Sequence, residues 1–486
     1  MLKRKVALAL ASVAVSSTQA LAQAPAAPKV DKLQYLHSAR PAIASYYQDI
    51  LSAKKSIDMT YFIWDACTTT GKVITQALEK KVKEGVKVRV LLDGTNQKPD
   101  GQKLLKAAMA RRGIELRYFN KSYYDETMPM KEMRPESNWR THAKVTLIDG
   151  EKYITGGRNI GDDYFSLREG FNFVDRDARV VGPSAKQTKE RFEELWNSEH
   201  SYVPDEPEAT ATDEYVKWCA EQPDKSKEVT AFLEANSQQI VSEIPTVECK
   251  DVTFIQDNPS FRGNRYAITN FIRSIGWNSK ERLKEKRMTY AVLDLMDNAT
   301  STFHMENWAY LPAWGINKRI QEMKKKRIRV YTVTNDITDV EAMSATQIDY
   351  INRDEVKTKP EREKAWAMRK LGQQMTTLSR HGSLDDSWEM TPPGDTQFMI
   401  HSKVWMSDRK NVIVGSYNLD PRSFHTNVES GVLVKDCKPF ADLVHKEIKV
   451  LKEDARADRK DCAKCKNIPE YSWKDRWIYW MKRELY

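Results

Sequence analysis

Two short strings in this 486-residue chain hold residues that can do chemistry, at matched spacing. The first is His142-Ala143-Lys144, then Asp149, then Gly156-Gly157-Arg158-Asn159. The second is His401-Ser402-Lys403, then Asp408, then Gly415-Ser416-Tyr417-Asn418. In both, the lysine follows the histidine by two residues, the aspartate by seven and the asparagine by 17. A lone His-x-Lys means little; two with the same extension point to a duplicated functional unit. On a strand, His142 and Lys144 share one face, as do His401 and Lys403. Two ammonium groups and two amide donors form a site for the non-bridging oxygens of a phosphoryl group. One neutral imidazole can attack phosphorus, while the other, protonated, donates to the leaving oxygen. The lysines take the electrostatic part of a metal, so neither metal nor other cofactor is expected.

Each histidine needs an acceptor on its second ring nitrogen to fix the tautomer. The downstream candidates are Asp175, 33 residues past His142, and Glu429, 28 past His401, with Asp177 a rival to Asp175. Asp149 and Asp408 stand at odd offsets, Asp149 in an Asp-Gly turn, and are expected to brace backbone rather than touch substrate.

The elements that carry these strings also repeat. Ser56–Trp64 alternates as a strand, Val73–Lys83 has a helical apolar face, and Val86–Leu92 reads as a second strand. Thr302–Met305, Ile316–Lys325 and Ile328–Val333 follow the same order. Strand–helix–strand units of this kind form parallel sheets, so the chain reads as two copies of one α/β unit. Residues 206–259 read as a connector, 345–395 as a polar insertion and 438–486 as a C-terminal extension.

With 40% hydrophobic and 30% charged residues, the composition is globular, which excludes a disordered tail or a collagen-like repeat. No run of 18 apolar residues occurs, which excludes a polytopic membrane protein. Residues 1–22 have a basic start at Lys3–Lys5, an apolar stretch from Val6 to Val15 and small residues at Ala20 and Ala22. They read as a signal peptide cleaved after Ala22, for periplasmic or secreted export. The net charge is +10 and becomes +7 without that segment, which suits an anionic partner. Six cysteines fit disulfides in an oxidising compartment, with Cys219–Cys249 the expected bridge. Trp473, Trp477 and Trp480 share a helical face in the tail. They suit either docking on the protein's own core or a peripheral membrane contact.

The two histidine strings resemble the paired HKD motifs of the phospholipase D superfamily. Gly415–Ser423 with Asn427-Val428-Glu429 looks like the extension of its second motif. Gly156–Phe165 looks like the first-motif extension of the branch that includes cardiolipin synthases and related phosphatidyltransferases. Tyr61–Trp64 and Gly85–Asp93 also match strings of that branch. The resemblance spans roughly residues 35–205 and 260–437. It implies two similar lobes (23–205 and 260–437), each a mixed, mostly parallel sheet flanked by helices, with one active site at their interface. It implies a phosphohistidine intermediate, no metal, and His142 as nucleophile. On it rest the expected catalytic set (His142, Lys144, Asn159, Asp175, His401, Lys403, Asn418 and Glu429) and the expected substrate contacts (Gly157, Ser416, Tyr61, Trp64 and Tyr310). The expected function is an exported enzyme, acting as a monomer, that cleaves or transfers phosphatidyl groups of phospholipids. A nuclease of the same superfamily is the first rival, though two motifs in one chain favour lipid over nucleic acid. A non-catalytic lipid-binding module is the second, and the intact His142 and His401 argue against it.

Overall fold

The computed structural model describes residues 30–94, 99–120, 139–168, 171–204, 217, 219–260, 285–335, 373–378 and 397–461. The expected signal peptide, most of the polar insertion, Cys462, Cys465 and the tryptophan-bearing tail lie outside the described residues.

The first lobe contains β1 (Asp31–Leu36), β2 (Ser56–Tyr61), β3 (Lys87–Asp93), β4 (Glu115–Phe119), β5 (Val145–Ile148), β6 (Lys152–Gly156), β7 (Phe171–Val174), β8 (Asp177–Val181), β9 (Ser201–Tyr202) and β10 (Thr246–Cys249). All but β7 form a nine-stranded sheet in the order β10-β1-β8-β6-β5-β2-β3-β4-β9. Strands β2, β3 and β4 run parallel. Their crossovers are the helices Thr69–Lys83 and Pro99–Ala110, because parallel neighbours cannot be joined by a tight turn. The other pairings are antiparallel. The β5–β6 hairpin turns through Asp149 (φ 55°) and Gly150 (φ 69°), both left-handed, and the Glu151 amide donates to the Ile148 carbonyl at 3.0 Å.

The second lobe repeats this plan with β11 (Asp251–Gln256), β12 (Thr302–Glu306), β13 (Arg329–Asn335), β14 (Gln373–Leu378), β15 (Gln397–Ile400), β16 (Val404–Ser407), β17 (Asn411–Gly415) and β18 (Ser430–Lys435). Its sheet order is β11-β18-β17-β16-β12-β13-β14, with only β12-β13-β14 parallel. The fold is a two-lobed mixed α/β architecture. The parallel character expected from the strand–helix–strand pattern holds for that part of each sheet, and antiparallel pairings build the rest.

The lobes share one core. Leu33, Val145 and Val180 of the first sheet pack with Val252, Val404, Val414 and Val432 of the second. The helix Lys438–Asp461 closes it with buried Phe440, Ala441, Val444, Ile448 and Leu451, so the start of the expected C-terminal extension belongs to the core. The expected connector is likewise divided between the lobes. Helix Ser226–Glu243 buries Val229, Leu233 and Val241 against the first lobe, β10 joins the first sheet and β11 the second.

The disulfides differ from the expected Cys219–Cys249. The bonds are Cys67–Cys219 and Cys249–Cys437. The 18-residue helix between Cys219 and Cys249 spans about 27 Å and holds them apart. Cys249 ends β10 of the first sheet and Cys437 follows β18 of the second, so their bond clasps the lobes. Among the described residues no helix is long and apolar enough to cross a membrane.

Candidate active site

Two pieces of backbone pairing bring the lobes together at the histidines. β7 of the first lobe runs parallel to β15 of the second, with Val174 opposite Ile400. Thr141 forms the corresponding bridge to Val428. As a result the His401 amide donates to the Val174 carbonyl and the His142 amide to the Val428 carbonyl, both at 2.8 Å. The residue after each of those carbonyls is a carboxylate, Asp175 or Glu429. Each histidine is therefore placed beside the acid of the opposite lobe.

The side chains complete this exchange. His142 Nδ1 lies 2.9 Å from Glu429 Oε2 and 3.0 Å from the Ser416 carbonyl. His401 Nδ1 lies 2.6 Å from Asp175 Oδ2. Counting downstream from each histidine pairs it with the acid of its own copy; the fold crosses the pairs. An acceptor at Nδ1 fixes the proton there and leaves the Nε2 lone pair for chemistry.

Glu429 is fully buried and held from several directions. Ser423 Oγ donates to it at 2.6 Å, Asn427 Nδ2 at 3.1 Å, and Ser416 Oγ through a further short bond. Asp175 accepts the Arg176 amide at 2.8 Å. Gly157 makes room for it, since a Cβ at that position would stand 2.0 Å from Asp175 Oδ1. Gly157 and Ser416, expected as substrate contacts, thus both face the carboxylates.

Lys144 and Lys403 are each 1% exposed. Lys144 Nζ donates to the His142 carbonyl at 2.8 Å and lies 5.4 Å over the Phe62 ring. Lys403 Nζ donates to the His401 carbonyl and lies 2.8 Å from His401 Nδ1. Burial, with the other lysine adding to it, lowers Lys144 to about 7. Burial lowers Lys403 to about 8, against the pull of Asp175 and Glu429. Burial also lowers His142 to about 4, Glu429 opposing, and His401 to about 3, with Lys403 pushing the same way. Burial works to raise both carboxylates, but His401 holds Asp175 at about 2 and His142 holds Glu429 at about 2. The resting site is thus two neutral imidazoles, two carboxylates and two ammonium groups that shed protons easily.

The asparagines differ. Asn159 accepts from the Ile63 amide at 3.1 Å and donates to the Tyr164 hydroxyl at 2.9 Å. Asn418 Oδ1 is buried and has no hydrogen-bond partner among the described residues. Asp149 accepts the amides of Lys54, Lys55 and Ser56. Asp408 accepts those of Thr300, Ser301 and Thr302. Both brace the start of a strand.

Three expected substrate contacts are core residues instead. Tyr61 is fully buried with its hydroxyl 2.7 Å from Thr146 Oγ1, and Trp64 packs edge-on against it. Tyr310 is buried in the second lobe's own core. The residues missed include Phe62, whose ring centroid lies 4.9 Å from that of His142, and Tyr164 and Phe173, at 5.2 and 4.9 Å from that of His401. Phe62 directly follows β2, whose last residue Tyr61 turns into the core.

A doubled fold with this site defines a two-lobed enzyme of the phospholipase D type. The family model described as "Cardiolipin synthase, PLD-like domain" matches residues 46–196 and 292–452, and the chain belongs to that family. It is 24% identical over 432 residues to cardiolipin synthase C of Escherichia coli (strain K12), covering 85% of this chain and 82% of that protein. It is 32% identical over 152 residues to cardiolipin synthase 1 of Staphylococcus aureus (strain MRSA252), 31% of this chain and 29% of that protein. The fold is similar to the crystal structure of phosphatidylserine synthase from Haemophilus influenzae Rd KW20. That match has a TM-score of 0.57 at 13% identity and covers 87% of this chain and 86% of that one.

Proposed function

We propose that this protein is an exported phosphatidyltransferase that works through a phosphohistidine on His142 and needs no metal. The observation that carries the reading is the crossed pairing of each histidine with the other lobe's carboxylate, beside the two buried lysines. A phosphodiester anion between Lys144 and Lys403 brings a negative charge that counters the burial and the lysine charges depressing His401, so that His401 takes up a proton. His142 Nε2 then attacks phosphorus. The bond from phosphorus to the headgroup oxygen breaks, and that oxygen takes the proton from His401. An incoming hydroxyl returns a proton to His401 as its oxygen bonds phosphorus and the P–N bond breaks. Water gives hydrolysis and an alcohol gives transfer. Export is supported by the two disulfides, which form and persist in oxidising compartments.

The test is to incubate the purified protein with labelled phospholipid, a primary alcohol and EDTA, and in parallel with plasmid DNA. Phosphatidyl-alcohol is the expected product. DNA loss without lipid turnover indicates the nuclease, and abolition of activity by EDTA rules out the mechanism. Export predicts a secreted chain that begins at Gln23.

A further inference from the structure

His401 and Asp175 are joined a second time, behind the bond between their side chains. Ser402, next to His401, donates from Oγ to Glu306 Oε1. Arg176, next to Asp175, places Nε 3.2 Å from the same oxygen. The chain itself links His401 to Ser402 and Asp175 to Arg176, and His401 Nδ1 lies 2.6 Å from Asp175 Oδ2. These residues therefore close a ring across the lobe interface. Asp175 and Arg176 come from the first lobe, and Glu306, His401 and Ser402 from the second. Arg176, Glu306 and Ser402 are all buried, and Glu306 Oε2 has no hydrogen-bond partner among the described residues. The carboxylate is thus held through Oε1, by one neighbour of Asp175 and one of His401.

The other histidine has no such ring. Glu306 is paired with Val404, three residues past His401, and Thr60 with Val145, three past His142. Thr60 hence stands in the place of Glu306, and its Oγ1 has no hydrogen-bond partner among the described residues. Ala143 stands in the place of Ser402 and has no hydroxyl to donate. Ser430 stands in the place of Arg176, since each precedes the residue paired with Gly415 or Gly156. Its Oγ accepts the Lys144 amide instead. On that side Glu429 is braced directly, by Ser416, Ser423 and Asn427. Asp175 has the Arg176 amide in their stead. A buried ion pair adds little net stability, because desolvation offsets its attraction. What this one does is tie the residue beside Asp175 to the residue beside His401.

We infer that Glu306 is a positioning residue for the reaction: through Arg176 and Ser402 it holds Asp175 and His401 in the alignment that proton transfer needs. The inference rests on the reading of His142 as nucleophile and His401 as the group that trades protons.

The test uses dihexanoylphosphatidyl p-nitrophenol as donor, whose leaving group needs no acid. Rapid quench at saturating donor, read by mass spectrometry, gives two rate constants. One is for formation of the phosphoenzyme on His142, the other for its decay, when His401 takes the proton of the attacking water. Both are first-order constants of the molecules that react, so loss of folded enzyme cancels. Glu306→Gln and Ser402→Ala each slow decay about tenfold and change formation by less than about twofold. The double variant decays no more than about twofold slower than Glu306→Gln, because a ring already open loses little from a second break. Unchanged decay in both single variants overturns the ring. So does equal slowing of formation and decay, which marks a general structural role. A double variant slowed by the product of the two single effects overturns it as well. A wild type that forms no phosphoenzyme on His142 sinks the functional reading, and the inference with it; the other failures sink the ring alone.

Discussion

Glu429 and Asp175 occupy equivalent places, each two residues before the strand residue paired with Gly415 or Gly156, yet they are held very differently. Glu429 takes hydrogen bonds from Ser416, Ser423 and Asn427 besides His142. Asp175 has the Arg176 amide and His401, and Lys403 Nζ competes for the same ring nitrogen. That nitrogen can donate to Asp175 or accept from Lys403, not both. A ring locked by a fully satisfied carboxylate suits a nucleophile that must hold its aim. A ring poised between a carboxylate and an ammonium suits a group that trades protons. The duplicated backbone thus supports two different duties, and the difference lies in the residues around the acids.

The largest expected effect comes from the histidines. His142→Asn and His401→Asn each lower phospholipid turnover by about 10³-fold or more. With a p-nitrophenyl phosphodiester donor, whose leaving group needs no acid, His401→Asn still forms a stable phosphoenzyme and His142→Asn does not; mass spectrometry giving the reverse would exchange their roles. Next come the carboxylates, with a loss of about 10²-fold in kcat for Glu429→Gln or Asp175→Asn. Because the pairs are crossed, Glu429→Gln slows phosphoenzyme formation from the activated donor and Asp175→Asn spares it. Stopped-flow bursts with the opposite pattern would mean that each acid serves the histidine of its own copy.

The lysines set the pH dependence. Their lowered values mean that charge is lost as pH rises through about 7 for Lys144 and about 8 for Lys403. KM is therefore expected to rise above neutrality, and Lys144→Arg moves that limb upward, since arginine keeps its charge. A KM that stays flat to pH 9 contradicts this.

Smaller effects concern stability. Cys249→Ser opens the clasp between lobes and is expected to cost about 2–4 kcal/mol, read in urea unfolding; an unchanged midpoint would deny the clasp any role. Asp408→Ala removes the acceptor for three amides of the second lobe and costs about 1 kcal/mol. Asp408 is lowered to about 2 because those amides outweigh its partial burial. Its contribution is present above the usual carboxylate range and fades as pH falls toward 2. The wild-type and alanine unfolding curves should accordingly converge in acid.

Matched offsets made the His142, Lys144, Asn159, His401, Lys403 and Asn418 set legible, because a strand and the hairpin after it fix spacing locally. Nothing local distinguished Tyr61, Trp64 and Tyr310 from contacts at the site; their burial depends on packing against distant segments.

By itself, then, the sequence determined which residues recur, how many positions separate them, and which strands and crossover helices carry them. Only the tertiary structure decided which acid serves which imidazole and which cysteines meet. Those partners are up to 287 residues apart. They are chosen by sheets from different lobes packing on one core, a nonlocal contact that no spacing within either copy encodes.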